Sequence, residues 1–240
     1  MSQHKKYWSA IAKAYDSDVN EIGDQSQQLF INPIVEKLLG DLQGKIVLDA
    51  GCGNGYWTRK IAEKASHVVG IDFTNELIEK AKTRGIPANV EFLVEDLAQI
   101  KFPDETFDTV LLNMVVLDLE NLGLVMRRIS EVIKNGGEVI ASTIHPCFEN
   151  PPYTQSVIDE KGKKIGRTIS HYFKTGLIED QTNRYQHWHH TLSDYINVFA
   201  DNQLFIEKMI ETNEADVLED IDTAHFPYFL IMKLKKINRG

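Results

Sequence analysis

The sequence predicts an α/β fold: a seven-stranded, mostly parallel sheet with helices on both faces. Three observations carry that reading. Between residues 45 and 142, short apolar runs alternate with amphipathic stretches, the βαβ pattern that builds a parallel sheet. Several runs, including IVLDA, VVGID and VLLNMVV, are continuously apolar, as in strands covered on both faces. A glycine-rich turn, Gly51-Cys52-Gly53-Asn54-Gly55, follows the first of these runs and opens a helical pattern.

Taken in order, residues 1–40 read as an N-terminal helical cap, with a helix over 25–39 in which Pro33 marks a kink or restart. The core, 45–144, holds strands at 45–50, 67–72, 90–95, 107–114 and 138–143. Helices are expected at 56–64, at 75–82 with Thr74 as N-cap, and at 121–133. The last places Leu122, Val125, Met126, Ile129 and Ile133 on one face at helical spacing. After Thr143 the pattern changes. Residues 145–190 are rich in His, Pro and aromatics without a clear period, with a hairpin signal at Glu160-Lys161-Gly162. An irregular insertion of this length is expected to be a lid or binding loop. Regular structure resumes over 191–240, with a helix opened by a capping-box pattern at Thr191 and Asp194, then strands at 204–211 and 226–235. No internal repeat stands out, and residues 1–240 read as a single domain.

With 240 residues and 42% hydrophobic content, the chain can bury most of its surface without staples. Two cysteines, Cys52 and Cys147, speak for a reducing compartment rather than a disulfide scaffold. The first residues lack a signal-peptide core, and no run reaches the ~18 apolar residues of a membrane span. A soluble, cytoplasmic protein is expected, with no membrane partner. A net charge of −9 argues against a nucleic-acid partner, because phosphate binding needs a positive footprint. The terminal Lys233, Lys235, Lys236 and Arg239 read as a solvated strand edge.

The glycine turn is where chemistry concentrates. A dinucleotide loop requires G-x-G-x-x-G, but position 56 is Tyr, so the loop reads G-x-G-x-G. Without a pyrophosphate to hold, it is suited to the amino-acid part of a nucleoside ligand, with Asp49 placed to neutralise an ammonium. Asp72 ends the second strand, twenty-one residues after Gly51, near the spacing at which an acid meets ribose hydroxyls. A carboxylate there can accept from both hydroxyls of a vicinal diol. Glu95-Asp96-Leu97 ends the third strand and Asn113-Met114 the fourth, beside the switch point where such sheets bind ligands.

These segments, VLDAGCGNG, VVGIDFT, FLVEDLAQIKFPDETFDTVLLN and IKNGGEVIAS, resemble the successive motifs of class I S-adenosylmethionine-dependent methyltransferases, in particular the group sharing the type-11 methyltransferase domain. The likeness spans about residues 45–142. It implies a Rossmann-like sheet with a lid insertion after strand five, and S-adenosyl-L-methionine as cofactor with S-adenosyl-L-homocysteine as product. By position, Asp49, Gly51, Cys52 and Gly53 would hold the methionine portion, Asp72 the ribose, and Asp96 with Leu97 the adenine. Phe73 would pack on the adenine face and Asn113 would line the methionine end. Tyr7-Trp8 and Ala14-Tyr15-Asp16 resemble the helical lid of this group, with Tyr15 over the cofactor.

The acceptor, expected to be a small molecule methylated on oxygen or nitrogen by in-line displacement, would bind the insertion. It carries His145, His171, His187, His189 and His190 among aromatics that include Tyr172, Tyr185 and Trp188, the composition of an apolar pocket with a few polar groups. His145, directly after strand five, is the candidate general base, and His145, His189, His190, Tyr172 and Trp188 the candidate acceptor contacts. Some type-11-like enzymes carry an Arg where His190 stands, so the acceptor's charge is open. H-x-H-H lacks a zinc-site spacing, and no metal is expected. Two rivals share the sheet: a nicotinamide-dependent oxidoreductase, opposed by Tyr56 and Asp96, and a non-catalytic module that binds S-adenosylmethionine.

Overall fold

The computed structural model describes residues 3–148, 154–162, 164–178, 185–212 and 226–238. Helix α1 (Gln3–Val19) leads to α2 (Asn32–Leu39), and then β1 (Ile46–Ala50), α3 (Tyr56–Ala62), β2 (His67–Asp72), α4 (Asn75–Thr83), β3 (Val90–Val94) and β4 (Phe107–Asn113) alternate. After α5 (Leu122–Val132) and β5 (Ile133–Ile144) come the short strands β6 (Thr154–Ile158), β7 (Lys164–Ile169), β8 (Gly176–Ile178) and β9 (His187–His189). Helix α6 (Leu192–Asp201), β10 (Leu204–Glu211) and β11 (Phe229–Lys236) close the chain. Seven strands form one sheet in the order β10-β11-β5-β4-β1-β2-β3. Only β11 runs antiparallel to its neighbours. The fold is the Rossmann-like, mostly parallel α/β sheet expected from the sequence.

Alternation along each strand feeds two cores. Val47, Val68, Leu111, Ile140 and Ile231 point to the layer holding α2, α3 and α4. Leu48, Val69, Val110 and Val139 point to the layer of α5 and α6, against Met126, Ile129 and Phe199. Each such side chain, fully buried, contributes about 1.5–3 kcal/mol, so the apolar runs become inner strands. The chain steps outward from β1 to β2 and β3 on one side, and from β4 to β5 on the other. The reversal leaves a crevice at the carboxyl ends of β1 and β4.

Several boundaries differ from expectation for physical reasons. Gln27–Ile31 is a π-helical turn and α2 restarts at Asn32, with Pro33 in its first turn, where a missing N–H costs nothing. Thr74 takes the N-cap position in extended geometry, but its side chain caps nothing; its N–H donates to Asp72 Oδ1 at 2.8 Å. Ile133 belongs to β5 and not to the preceding helix, although its N–H still donates to the Ile129 carbonyl. The capping box of α6 forms, with Thr191 and Asp194 each accepting from the other's N–H.

The basic run is not a solvated edge. Strand β11 lies between β10 and β5, Lys233 pairs with Glu138 at 2.7 Å and Lys235 with Glu207 at 3.7 Å. The buried Lys236 ammonium donates to the Ser130 and Ile133 carbonyls at the end of α5, where orphan carbonyls favour a cation. Arg239 lies outside the described residues. In the insertion, β6 and β7 form an antiparallel hairpin and β8 pairs with β9. No helix among the described residues is long and apolar enough to cross a membrane.

Candidate functional site

The site begins at the turn after β1. Gly51, Gly53 and Gly55 all have positive φ, at 79°, 54° and 77°, a region that L side chains rarely adopt. Space forbids side chains here as well. A Cβ on Gly51 would sit 2.5 Å from Val115 Cγ2, and one on Gly55 would sit 2.8 Å from the Phe92 ring. The turn is pinned from β2, since the Gly51 and Cys52 amides donate to the Ile71 carbonyl at 2.7 and 2.8 Å. Asp72 then accepts from the Gly53 amide at 3.0 Å on one oxygen and from the Thr74 amide on the other. Its carboxylate joins two loops and still faces the crevice.

That crevice is a cavity of about 1050 Å³, whose lining includes Gly51, Gly53, Asp72, Phe73, Asp96, Leu97 and Asn113. Helix α1 covers it. Tyr15 lies over Gly53, so that an added Cβ there would meet the Tyr15 ring at 3.4 Å. Lys5 reaches Asp96 at 2.6 Å and sits 5.6 Å above the Phe73 ring. Two polar knots hold the helix down. Asp16 accepts from Arg84 at 2.6 Å and from Asn54, in the glycine turn, at 3.0 Å. Asp18 accepts from the Tyr185 hydroxyl at 2.7 Å, while the Tyr7 hydroxyl accepts from the Gln186 amide at 2.9 Å. The segment before β9 thus closes the roof beside α1.

The remaining sequence candidates lie off the cavity wall. Asp49 and Cys52 are buried behind the glycine turn and do not line the cavity. One Asp49 oxygen accepts from the Thr58 hydroxyl at 2.5 Å. His145 is buried between Glu211, 2.8 Å from its Nε2, and the Cys147 amide, which donates to its Nδ1 at 3.2 Å. With Nδ1 accepting, Nε2 carries the proton, and the ring is a bracket between β5 and β10 rather than a base facing the cavity. His189 Nε2 bonds the Tyr172 carbonyl at 2.7 Å and His190 Nε2 the Leu119 carbonyl at 2.8 Å. Tyr172 accepts from the Leu192 amide at 2.8 Å. Neither these three nor Trp188 line the cavity; from the insertion Tyr185, Gln186 and His187 do. Among the described residues no cluster of His, Cys, Asp and Glu could hold a metal ion.

Two wall residues escape sequence reasoning. Lys5 carries no motif. Asp118 follows β4 in the stretch VVLDLEN, where its charge in an apolar run was the available signal. Burial lifts the Asp118 carboxyl well above its ordinary range, Asp72 adds to the effect, and the Trp8 indole N–H opposes it. Asn113 is held by Ser142, which donates at 2.8 Å, and donates in turn to the Tyr56 hydroxyl at 3.1 Å. Tyr56, which replaces the third glycine of a dinucleotide loop, therefore braces the wall.

Burial, opposed chiefly by the Thr58 bond, pushes the Asp49 pKa up to about 7. An unfolded Asp titrates at ~4, so the folded chain holds this proton more tightly. Ionising Asp49 therefore costs stability progressively between those values, and fully above the upper one. Asp49→Asn cannot ionise and is expected to gain stability relative to wild type as the pH rises across that window. Urea midpoints of both proteins at each end of the window check this; a difference that does not move with pH would refute it.

Comparison with known proteins accords with this geometry. A family model described as a methyltransferase domain matches residues 41–193. An uncharacterized protein of Haemophilus influenzae is 26% identical over 242 residues, covering 90% of this chain and 92% of its own. The demethylmenaquinone methyltransferase of Lactococcus lactis is 28% identical over 182 residues, covering 70% of this chain and 71% of its own. The solved structure of an S-adenosylmethionine-dependent methyltransferase from Mesorhizobium loti superposes with a TM-score of 0.77, at 22% identity over 88% of this chain and 97% of that one.

Proposed function

Because this chain belongs to the methyltransferase domain family and is an S-adenosylmethionine-dependent methyltransferase, we propose that it methylates a small molecule inside the cavity beneath α1. One observation carries the reading: a carboxylate fixed by two backbone amides stands beside a glycine-rich turn, both facing one cavity. Asp72 uses two of its roughly four lone-pair sites on the Gly53 and Thr74 amides, which leaves acceptors for a ribose diol. The donor set therefore fits a nucleoside.

Phe73 and Leu97 supply apolar walls for the adenine, and Asp96 an acceptor for its amino group alongside Lys5. Gly51, Gly53 and Asn113 bound the methionine end beneath Tyr15. Asp49 and Cys52 support this turn from behind. When bound, S-adenosylmethionine supplies an electrophilic methyl group. What the protein contributes is alignment and exclusion of water, for which the roof of Trp8, Tyr15 and Tyr185 is suited.

The roof also supports a small acceptor. Helix α1 and residues 185–186 are bonded across the opening, a cover that favours an acceptor small enough to enter beside it. The relative from Lactococcus lactis is named for demethylmenaquinone.

Calorimetric titration with S-adenosylmethionine, S-adenosylhomocysteine and NAD tests the cofactor half of the reading. Saturable one-site binding of both adenosyl ligands is expected, with no heat from NAD, because the turn beginning α3 lacks the third glycine that a pyrophosphate needs. Binding of NAD alone would sink it.

A further inference from the structure

Resting on the reading above, we propose that the acceptor is an amine, bound through its positive charge against Asp118 and the rings of Trp8 and Tyr185. Two independent features of the cavity point there. The first is charge. Of the carboxylates on the wall, Asp24 accepts from the Gln27 amide, Asp72 is tied to the turn amides and Asp96 to Lys5, which leaves Asp118 and Glu120 on the segment after β4. No arginine lines the cavity among the described residues, and its one lysine, Lys5, is the Asp96 partner. Burial moves His4 toward its neutral form, and His190, at the position open for an anion-binding Arg, is turned away to the Leu119 carbonyl. A carboxylate or phosphate acceptor would face uncompensated negative charge, which is costly in an enclosed site.

The second feature is aromatic. Trp8 and Tyr185 stack with centroids 5.9 Å apart and planes 11° from parallel. Tyr15 meets both edge-on, at 5.4 Å from Trp8 and 5.8 Å from Tyr185. All three line the cavity. Ring faces gathered beside a carboxylate attract ammonium groups by their quadrupoles, and they do so more strongly as each methyl group lowers the ligand's hydration.

An amine arrives protonated, and a protonated amine is no nucleophile. The arriving positive charge ionises Asp118, whose own proton passes to solvent; the carboxylate then takes the ammonium proton, leaving a neutral nitrogen and a carboxylic acid. The nitrogen lone pair then forms the N–CH₃ bond as the S–CH₃ bond breaks, its electron pair staying on sulfur. The product nitrogen carries the positive charge, and the Asp118 proton passes to solvent as the product leaves. A carboxyl whose protonated form is favoured by its surroundings suits this exchange.

The test follows label transfer from [methyl-³H]S-adenosylmethionine into a deproteinised bacterial extract, with products separated on cation- and anion-exchange resins. Unreacted S-adenosylmethionine, itself a cation, is first removed on charcoal through its adenine; the remaining label is expected on the cation exchanger, stable to mild base, as an N-methyl group is and a methyl ester is not. Asp118→Asn should lower it by about 10- to 100-fold, the worth of one hydrogen bond to a charged group. The same variant should bind S-adenosylmethionine and S-adenosylhomocysteine like wild type by calorimetry. Label that is anionic, neutral or base-labile overturns the proposal, as does undiminished transfer by the variant. A loss of affinity for S-adenosylmethionine alone would assign Asp118 to the sulfonium and overturn it too. No label in any fraction, with cofactor binding intact, would overturn the small-molecule reading and this proposal together.

Discussion

Asp72→Ala is expected to weaken S-adenosylhomocysteine binding by at least about 100-fold, the equivalent of two charge-assisted hydrogen bonds at ~1.5–3 kcal/mol each. The residue does two jobs with one carboxylate. It offers lone pairs to the ligand, and it ties the Gly53 amide of the turn after β1 to the Thr74 amide ahead of α4. Alanine removes the first and orphans both amides in the second, so the loss exceeds that of a simple contact. Asp72→Asn sharpens the argument. It preserves shape, yet each Asp72 oxygen accepts from a backbone N–H, so either amide flip sets an NH₂ donor against another donor. We therefore expect Asn to be nearly as damaging as Ala. Titration calorimetry on both variants, with circular dichroism to verify the fold, reads the outcome; near wild-type binding by Asp72→Asn would mean that neither loop depends on the carboxylate's charge.

The sheet and the glycine turn were legible because their causes are local. Continuous apolar runs mark strands covered on both faces, and the G-x-G-x-G turn with an acid at the end of the next strand is a pattern of spacing. Even the replacement of a third glycine by Tyr56 could be interpreted from sequence alone. Errors arose where tertiary position decides. The lysines of β11 look like an edge until β10 pairs outside them. Ile133 continues the apolar face of α5, yet its backbone has already turned extended to enter β5.

The histidines of the insertion show the same limit at the site. Composition marks them as polar groups in an aromatic setting, which suits a binding pocket and a bracketed loop equally. In the fold His145 holds Glu211 and the Cys147 amide, and His189 and His190 each hold a backbone carbonyl. Backbone carbonyls outside the two short ladders of the insertion need partners, and imidazole supplies one at small volume. The wall opposite the cofactor residues joins Trp8, from the lid-like segment, and Tyr185, from the insertion, to two positions without motif, Lys5 and Asp118. They are far apart in sequence, and α1 and the segment before β9 bring them together by crossing the same opening.

Gly51→Ala carries the other large effect, and it separates two reasons for a glycine. The φ of 79° disfavours any side chain, at ~1–2 kcal/mol. The second reason is steric: the new Cβ would lie 2.5 Å from Val115 Cγ2 and 3.0 Å from Cγ1, overpacking that typically costs ~1–3 kcal/mol. Val115 and Gly51 both line the cavity, and the Gly51 turn is pinned on Ile71, so a shift of either residue to relieve the clash alters the cavity wall. Gly51→Ala is therefore expected to lose stability and, by about tenfold or more, affinity for S-adenosylhomocysteine, since each ~1.4 kcal/mol is a factor of ten. Val115→Ala removes both offending γ carbons and leaves the φ untouched. In the double variant the steric part should return while the backbone part persists, giving a favourable coupling between the two positions. Denaturant midpoints and titrations on the two single variants and the double close the cycle. Costs that simply add would show that Val115 yields without moving the turn, and would leave backbone conformation as the whole reason for glycine at this position.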